Sequence, residues 1–182
     1  MKIMIPLAEG FEETEAITII DLLRRAQIET LTFSLSKEKL VKGSHNIQVQ
    51  TDLLIDEVQQ ENFSGIVLPG GMPGSIHLRD SDKIIDFIQY FNSEKLLVAA
   101  ICAAPIVLGK AEILKGRYAC CYPGNEDQLT DAIISNDNVC TDDNIITAKG
   151  LAFAIPFALE IIKFIVIEEI ANKISEGILF KI

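Results

Sequence analysis

An unbroken apolar run, Leu96 to Ile101, ends abruptly at Cys102-Ala103-Ala104-Pro105. Six consecutive apolar residues between polar neighbours fit a buried strand, and the small residues with Pro105 fit a helix start. A buried strand that runs straight into a helix places its last side chain on a sharp turn. Backbone N–H groups and the positive end of the helix then face that side chain. Here it is a cysteine, whose thiolate such surroundings favour.

The same alternation recurs along the chain. Strands are predicted at Lys2–Leu7, Ile28–Leu35, Asn46–Gln50, Gly65–Pro69, Lys95–Ile101 and Asn144–Ala148. Helices are predicted at Glu12–Ala26, Asp82–Phe91, Ala103–Leu114 and Leu151–Ser175. Ala16, Ile19, Ile20, Leu23 and Ala26 fall on one face of the first helix; Ile84, Ile85, Phe87, Ile88 and Phe91 do so in the second. Strands separated by helices predict an α/β fold, a mostly parallel sheet covered on both faces. No linker or repeat divides the 182 residues, so a single domain, 1–182, is expected.

Composition narrows the function classes. The formal net charge is -10. A chain this acidic is a poor match for nucleic acid or an anionic membrane, and neither partner is expected. The N-terminal Met1–Leu7 stretch is too short for a secretory signal core, and the apolar segment from Phe157 is interrupted by Glu160, Lys163, Glu168 and Glu169. A cytoplasmic protein with four free thiols, Cys102, Cys120, Cys121 and Cys140, is expected. Cys120 and Cys121 are adjacent, and His45 and His77 are the two imidazoles, so no metal site is expected.

In a parallel sheet, sites form beyond the carboxyl ends of the strands. Three segments fall there: Ala8–Glu15, Pro69–Gly74 and Ile101–Ala104. Glu9, Glu12, Glu13 and Glu15 lie at the start of the first helix, where capping and solvation account for most of them. Glu12 and Glu15 share a face, and Glu15 continues toward the apolar stripe. A carboxyl buried beside a thiolate holds its proton and can move it to and fro. Pro69-Gly70-Gly71-Met72-Pro73-Gly74 reads as a turn needing positive φ at glycine, or as a backbone N–H aimed at an oxyanion. It lacks the Lys-Ser/Thr ending of a phosphate-binding loop, and no motif suggests a flavin or any other cofactor. Cys121-Tyr122-Pro123-Gly124 reads as a strand end and turn. Cys102 itself is either reactive or an inert packed thiol.

Together, Gly10-Phe11-Glu12-Glu13-Thr14-Glu15-Ala16, Asp21–Ala26, Val67-Leu68-Pro69-Gly70-Gly71, Ala99–Pro105 and Phe157-Ala158-Leu159-Glu160 resemble the ThiJ/PfpI superfamily. The likeness is closest to its Parkinson-disease protein deglycase (DJ-one) branch. The resemblance implies a flavodoxin-like three-layer sandwich, usually a homodimer, with a cysteine nucleophile elbow. It implies Cys102 hydrogen-bonded to a protonated Glu15, an anion pocket from the Gly71 and Ala103 N–H groups, and a lining from Gly70, Tyr122 and Pro123. It further implies cofactor-free chemistry on reactive 2-oxoaldehydes such as methylglyoxal, or on their glycated adducts. The alternatives it leaves open are a redox-sensing or chaperone-like protein using Cys102 oxidation, and a structural domain with a dead site. Relatives often carry histidine where Tyr122 stands and Gly-Pro-Gly-Thr where Gly150-Leu151-Ala152-Phe153 stands. A Cys–His relay is therefore not implied. Arg24 and Arg25 are candidates for ion pairs across a dimer interface.

Overall fold

The computed structural model describes residues 1–181. The elements are β1 (Lys2–Leu7), α1 (Glu13–Arg25), β2 (Glu29–Ser34), β3 (Leu40–Lys42), β4 (Gln48–Gln50), β5 (Leu53–Leu54), β6 (Gly65–Leu68), α2 (Gly74–Arg79), α3 (Asp82–Ser93), β7 (Leu97–Ile101), α4 (Pro105–Lys110), β8 (Tyr118–Ala119), β9 (Ile133–Ile134), β10 (Val139–Asp142), β11 (Ile145–Ala148), α5 (Ala154–Ile165) and α6 (Glu168–Gly177). A seven-stranded sheet runs in the order β10-β11-β7-β6-β1-β2-β5. Every pairing in it is parallel except β10 with β11.

The central strands are apolar at every position because both of their faces are covered. Ile3, Ile5, Leu7, Val67, Ala99 and Ile101 point into one core, against α1, α5 and α6. Met4, Ile66, Leu68, Val98 and Ala100 point into the other, against α3 and α4. The two-residue alternation of strand side chains divides the apolar residues between these layers. The predicted α/β class and its mostly parallel sheet are thus present.

Several boundaries differ from expectation. Asn46–Gln50 contributes only β4, which pairs with β3 in a separate hairpin outside the main sheet. The helix after Cys102 stops at Lys110 rather than Leu114, because Glu112 takes a left-handed φ of 59°. The last helix is two helices. Val166 leaves the helical range and Ile167 is extended, so α5 and α6 meet at a corner. Strand β10 and helix α2 carry no strong period and were not expected.

Strand order places the site. From β1 the chain goes to β2 on one side, then crosses to β6 on the other. The loops leaving β1 and β6 diverge above that switch point, and the crevice between them opens at the carboxyl ends.

Candidate functional site

The crevice is built mainly from backbone. The Glu12 N–H donates to the Gly70 carbonyl at 2.8 Å, tying the start of α1 to the loop after β6. Glu12 caps the helix, its carboxylate accepting from the Glu15 N–H at 2.6 Å. Gly71 has a φ of 94°, and a Cβ there would lie 2.3 Å from the Glu12 nitrogen. A Cβ on Gly70 would lie 2.5 Å from Cys102 Cβ and 2.7 Å from Glu15 Oε2. The two glycines therefore let three loops close on one point.

Cys102 occupies that point. It follows β7 with a φ of 63°, a conformation that costs an L-residue about 1–2 kcal/mol. Its N–H donates to the Ala148 carbonyl at 2.8 Å, and its own carbonyl accepts from Tyr122 N–H at 2.7 Å. These bonds hold the turn in its strained form, and the half-buried side chain projects into the crevice. Pro105 stands in the first turn of α4, as expected.

Glu15 is fully buried. Its Oε2 accepts from the Gly70 N–H at 3.0 Å, while Oε1 has no hydrogen-bond partner in the chain. The Cys102 thiol is close enough to perturb it, although the two do not make a well-directed bond. Burial pushes the Glu15 carboxyl up from 4.5 to about 7, against the pull of the Gly70 N–H; the charge of Glu12 pushes in the same direction as burial. A carboxyl that retains its proton is an O–H donor in the neighbourhood of Cys102.

The sulfur does not match the expected low-pKa thiolate. Burial, then the charge and hydrogen bond of Glu15, push the Cys102 thiol up to about 12. The Ala103 and Gly71 N–H groups pull the other way. The pushes from Glu15 hold while its carboxyl is charged. With the proton on Glu15, that opposing charge is gone. The ionisation of each group therefore depends on the state of the other.

An open cleft of about 390 Å³ leads from solvent to Cys102. Gly71, Ala103, Tyr122 and Pro123 line it, all four expected from sequence, together with Met72 and Asn125. Gly70 lies behind the sulfur, against Glu15 and Cys102. Gly150, marked in the sequence by the departure of Gly150-Leu151-Ala152-Phe153 from its relatives, packs beside the cleft: a Cβ on it would be 3.5 Å from Tyr122 Cδ2 and 3.9 Å from Cys102 Sγ. Neighbouring glycine and a tyrosine far apart in sequence give no periodic signal that would have revealed this contact.

Glu13 also departs from the solvated reading. It is 3% exposed, covered by the turn between β3 and β4. The N–H groups of His45 and Ile47 donate to its Oε1 at 2.7 and 3.3 Å, and His45 Nδ1 lies 3.0 Å from Oε2. Burial opposes ionisation there, but the bonds from His45 and Ile47 outweigh it and hold the carboxyl down at about 2. Glu12, Glu13 and His45 are the one group among the described residues with clustered metal-type donor atoms. Glu12 Oε2, both Glu13 oxygens and His45 Nδ1 take part in the cap and turn bonds just described. Within the chain, Arg24 bonds the Thr30 carbonyl and Asp52, and Arg25 bonds Asp21.

A cysteine strained into a left-handed turn between a central parallel strand and a helix, with a buried carboxyl against it, defines a nucleophile-elbow α/β protein. The DJ-1/PfpI family model matches residues 1–164. Protein dj-1beta of Drosophila melanogaster is 34% identical over 178 residues, covering 97% of this chain and 95% of that one. Protein DJ-1 homolog B of Arabidopsis thaliana is 33% identical over 163 residues, 89% of this chain but 37% of that longer protein. Oxidized Toxoplasma gondii DJ-1 superimposes with a TM-score of 0.95 at 36% identity, covering 100% of this chain and 99% of that one. The chain belongs to the DJ-1/PfpI family.

Proposed function

We propose that this protein is a cofactor-free cysteine enzyme acting on small 2-oxoaldehydes such as methylglyoxal, or on their early glycation adducts. The observation that carries the reading is Glu15: a buried carboxyl with one unpartnered oxygen, retaining its proton up to about pH 7, beside a strained cysteine. The Cys102 sulfur adds to the aldehyde carbon, forming a C–S bond as the carbonyl π pair moves to oxygen. The Gly71 and Ala103 N–H groups stabilise that oxyanion, and the Glu15 proton neutralises it. Ionised Glu15 then takes the proton from the former aldehyde carbon and returns it to the neighbouring carbon. The resulting thioester is hydrolysed by water, which restores the thiol and releases a 2-hydroxy acid.

Two further elements of the proposal concern the cell. The protein acts in the cytoplasm, a compartment suited to its four free thiols. It acts as a homodimer: Ile17 on α1 and Phe164, Val166 and Ile167 at the α5–α6 corner are exposed apolar residues that a second copy can cover. The proposal includes no nucleic-acid or membrane partner, consistent with the net charge of -10. No described helix is long and apolar enough to cross a membrane.

A second reading, redox sensing through Cys102, is favoured by one observation: a similar structure is that of an oxidized DJ-1 from Toxoplasma gondii. The Gly71 and Ala103 N–H groups that suit an alkoxide equally suit a sulfinate. Lactate formation from methylglyoxal by the native protein, Cys102→Ala and Glu15→Gln separates the readings. Loss in both variants supports the enzyme. Equal rates in all three remove it, and peroxide-driven oxygen addition confined to Cys102 without turnover favours the sensor.

A further inference from the structure

The cleft above Cys102 has a chemical character of its own. Among the described residues lining it there is no cationic side chain; its walls are backbone, Met72, Asn125, Pro123 and the ring of Tyr122. Its ionisable neighbours are acidic. Glu126 forms part of the rim turn, where its carboxylate accepts from the Gly124 N–H at 2.7 Å, and Glu15, protonated up to about pH 7, lies buried beside Cys102. Arg79, near that turn, is committed to Asp80 at 2.8 Å and to Gln128 at 3.2 Å. Lys149 is turned to the Asn136 carbonyl at 2.6 Å. A carboxylate entering the cleft finds two backbone N–H groups, already directed at sulfur, and no counter-ion.

Tyr122 supplies the opposite attraction. Its backbone is pinned to the Cys102 carbonyl at 2.7 Å, and its ring packs over Gly150 next to the sulfur. The side chain is nevertheless 54% exposed, a flat face available to a ligand. Met72, also exposed, is a second adaptable apolar wall.

We propose that Tyr122 is a specificity-determining residue that selects uncharged oxoaldehydes with apolar or aromatic substituents and that the cation-free cleft rejects carboxylate-bearing ones. The inference rests on the oxoaldehyde reading for its substrate, but its charge selectivity belongs to the approach to Cys102 and is measurable without turnover. An anion brought toward Glu126, and toward Glu15 once its carboxyl has ionised, is repelled in a partly desolvated site. An aromatic substituent gains offset stacking on the ring.

Two measurements on the native protein, Tyr122→Ala and Tyr122→Arg test it. The first is kcat/KM for phenylglyoxal, methylglyoxal and the carboxylate-bearing oxoaldehyde 4,5-dioxopentanoate, with Cys102→Ala as the blank. The second is the rate of Cys102 alkylation by neutral iodoacetamide and anionic iodoacetate, as a ratio referred to 2-mercaptoethanol. The native protein is expected to favour phenylglyoxal over methylglyoxal and to disfavour 4,5-dioxopentanoate by about tenfold or more. Its alkylation ratio should exceed that of the free thiol by a similar factor. Tyr122→Ala should lower the phenylglyoxal preference about fivefold, and Tyr122→Arg should narrow both charge ratios. 4,5-Dioxopentanoate turned over as well as methylglyoxal, an alkylation ratio equal to the free thiol's, or an aromatic preference unchanged in Tyr122→Ala overturns the proposal. Absence of any turnover, with a neutral-selective alkylation ratio that Tyr122→Arg narrows, supports the charge selectivity and removes the oxoaldehyde reading instead.

Discussion

Replacing Glu15 with glutamine removes a titration while preserving size and the acceptor for the Gly70 N–H. In the unfolded chain the carboxyl loses its proton near 4.5; in the folded chain burial holds it to about 7. At 1.36 kcal/mol for each pH unit, that difference is worth about 3.4 kcal/mol. Its sign follows from proton counts. Between 4.5 and 7 the folded state holds a proton that the unfolded state has released, so stability falls as pH rises. Above 7 the loss is complete and the curve levels, the folded protein now carrying a buried carboxylate. Glutamine has no such slope. In urea unfolding from pH 5 to 8, the stability of Glu15→Gln relative to the native protein should therefore climb by about 2.5 kcal/mol, with most of the climb below 7. The slope should survive in a Cys102→Ala background, because burial is the leading cause of the shift and the sulfur a minor one. Two stability curves that stay parallel across this range refute the reasoning: Glu15 would then be solvated or ionised in the native state, and no proton would be stored beside the sulfur.

Gly70→Ala should destabilise the fold by about 2–3 kcal/mol and reduce turnover by more than tenfold, since its Cβ meets Cys102 Cβ, Glu15 Oε2 and the Ile101 carbonyl at 2.9 Å or less; urea midpoints and initial rates check both. Cys102→Gly should be more stable than Cys102→Ala by about 1 kcal/mol, because glycine relaxes the 63° φ and alanine does not; equal thermal midpoints contradict it. Glu13 behaves oppositely to Glu15: its lowered value near 2 stabilises the folded state above 4.5, and that support is lost as pH falls toward 2. Glu13→Gln should flatten the acid limb of the stability curve by about 2 kcal/mol, a figure reduced for the exposed His45 partner, and above pH 6 should lower the curve by a constant amount without changing its slope.

The layers of the fold were legible because burial on two faces leaves a plain mark on composition. Leu97–Ile101 and Gly65–Leu68 are apolar at every position, and α1 and α3 are apolar at helical spacing. Where the structure departs from expectation, tertiary context decides. Leu151–Ser175 has a helical apolar pattern throughout, with no glycine or proline at the break. The corner at Val166–Ile167 lets α6 turn back, packing Ala171 and Ile174 into the core beside α1 and α5. Likewise Val139–Asp142 is too short and too polar to stand out, and becomes a strand because β11 offers it an edge.

The site was legible in its residues and not in its electrostatics. Cys102, Glu15, Gly71 and Ala103 could be placed at one end of the sheet from the order of strands and helices. The state of the sulfur could not, because two influences of opposite sign act on it. A helix start with two N–H groups favours a thiolate; burial beside a carboxyl opposes it, and the second prevails while that carboxyl is charged. The resolution lies in a single oxygen. Glu15 Oε1 lacks a partner within the chain, which costs about 1–3 kcal/mol if it is a buried acceptor without a donor. A proton on the carboxyl turns one of its oxygens from acceptor into donor. That proton removes the charge that opposes ionisation of Cys102, and in the proposed reaction it neutralises the oxyanion formed on an aldehyde. A sequence specifies that a glutamate can lie near a cysteine; the desolvation that keeps the carboxyl protonated is a property of the closed crevice, closed in part by Gly70, 55 residues away from Glu15 along the chain.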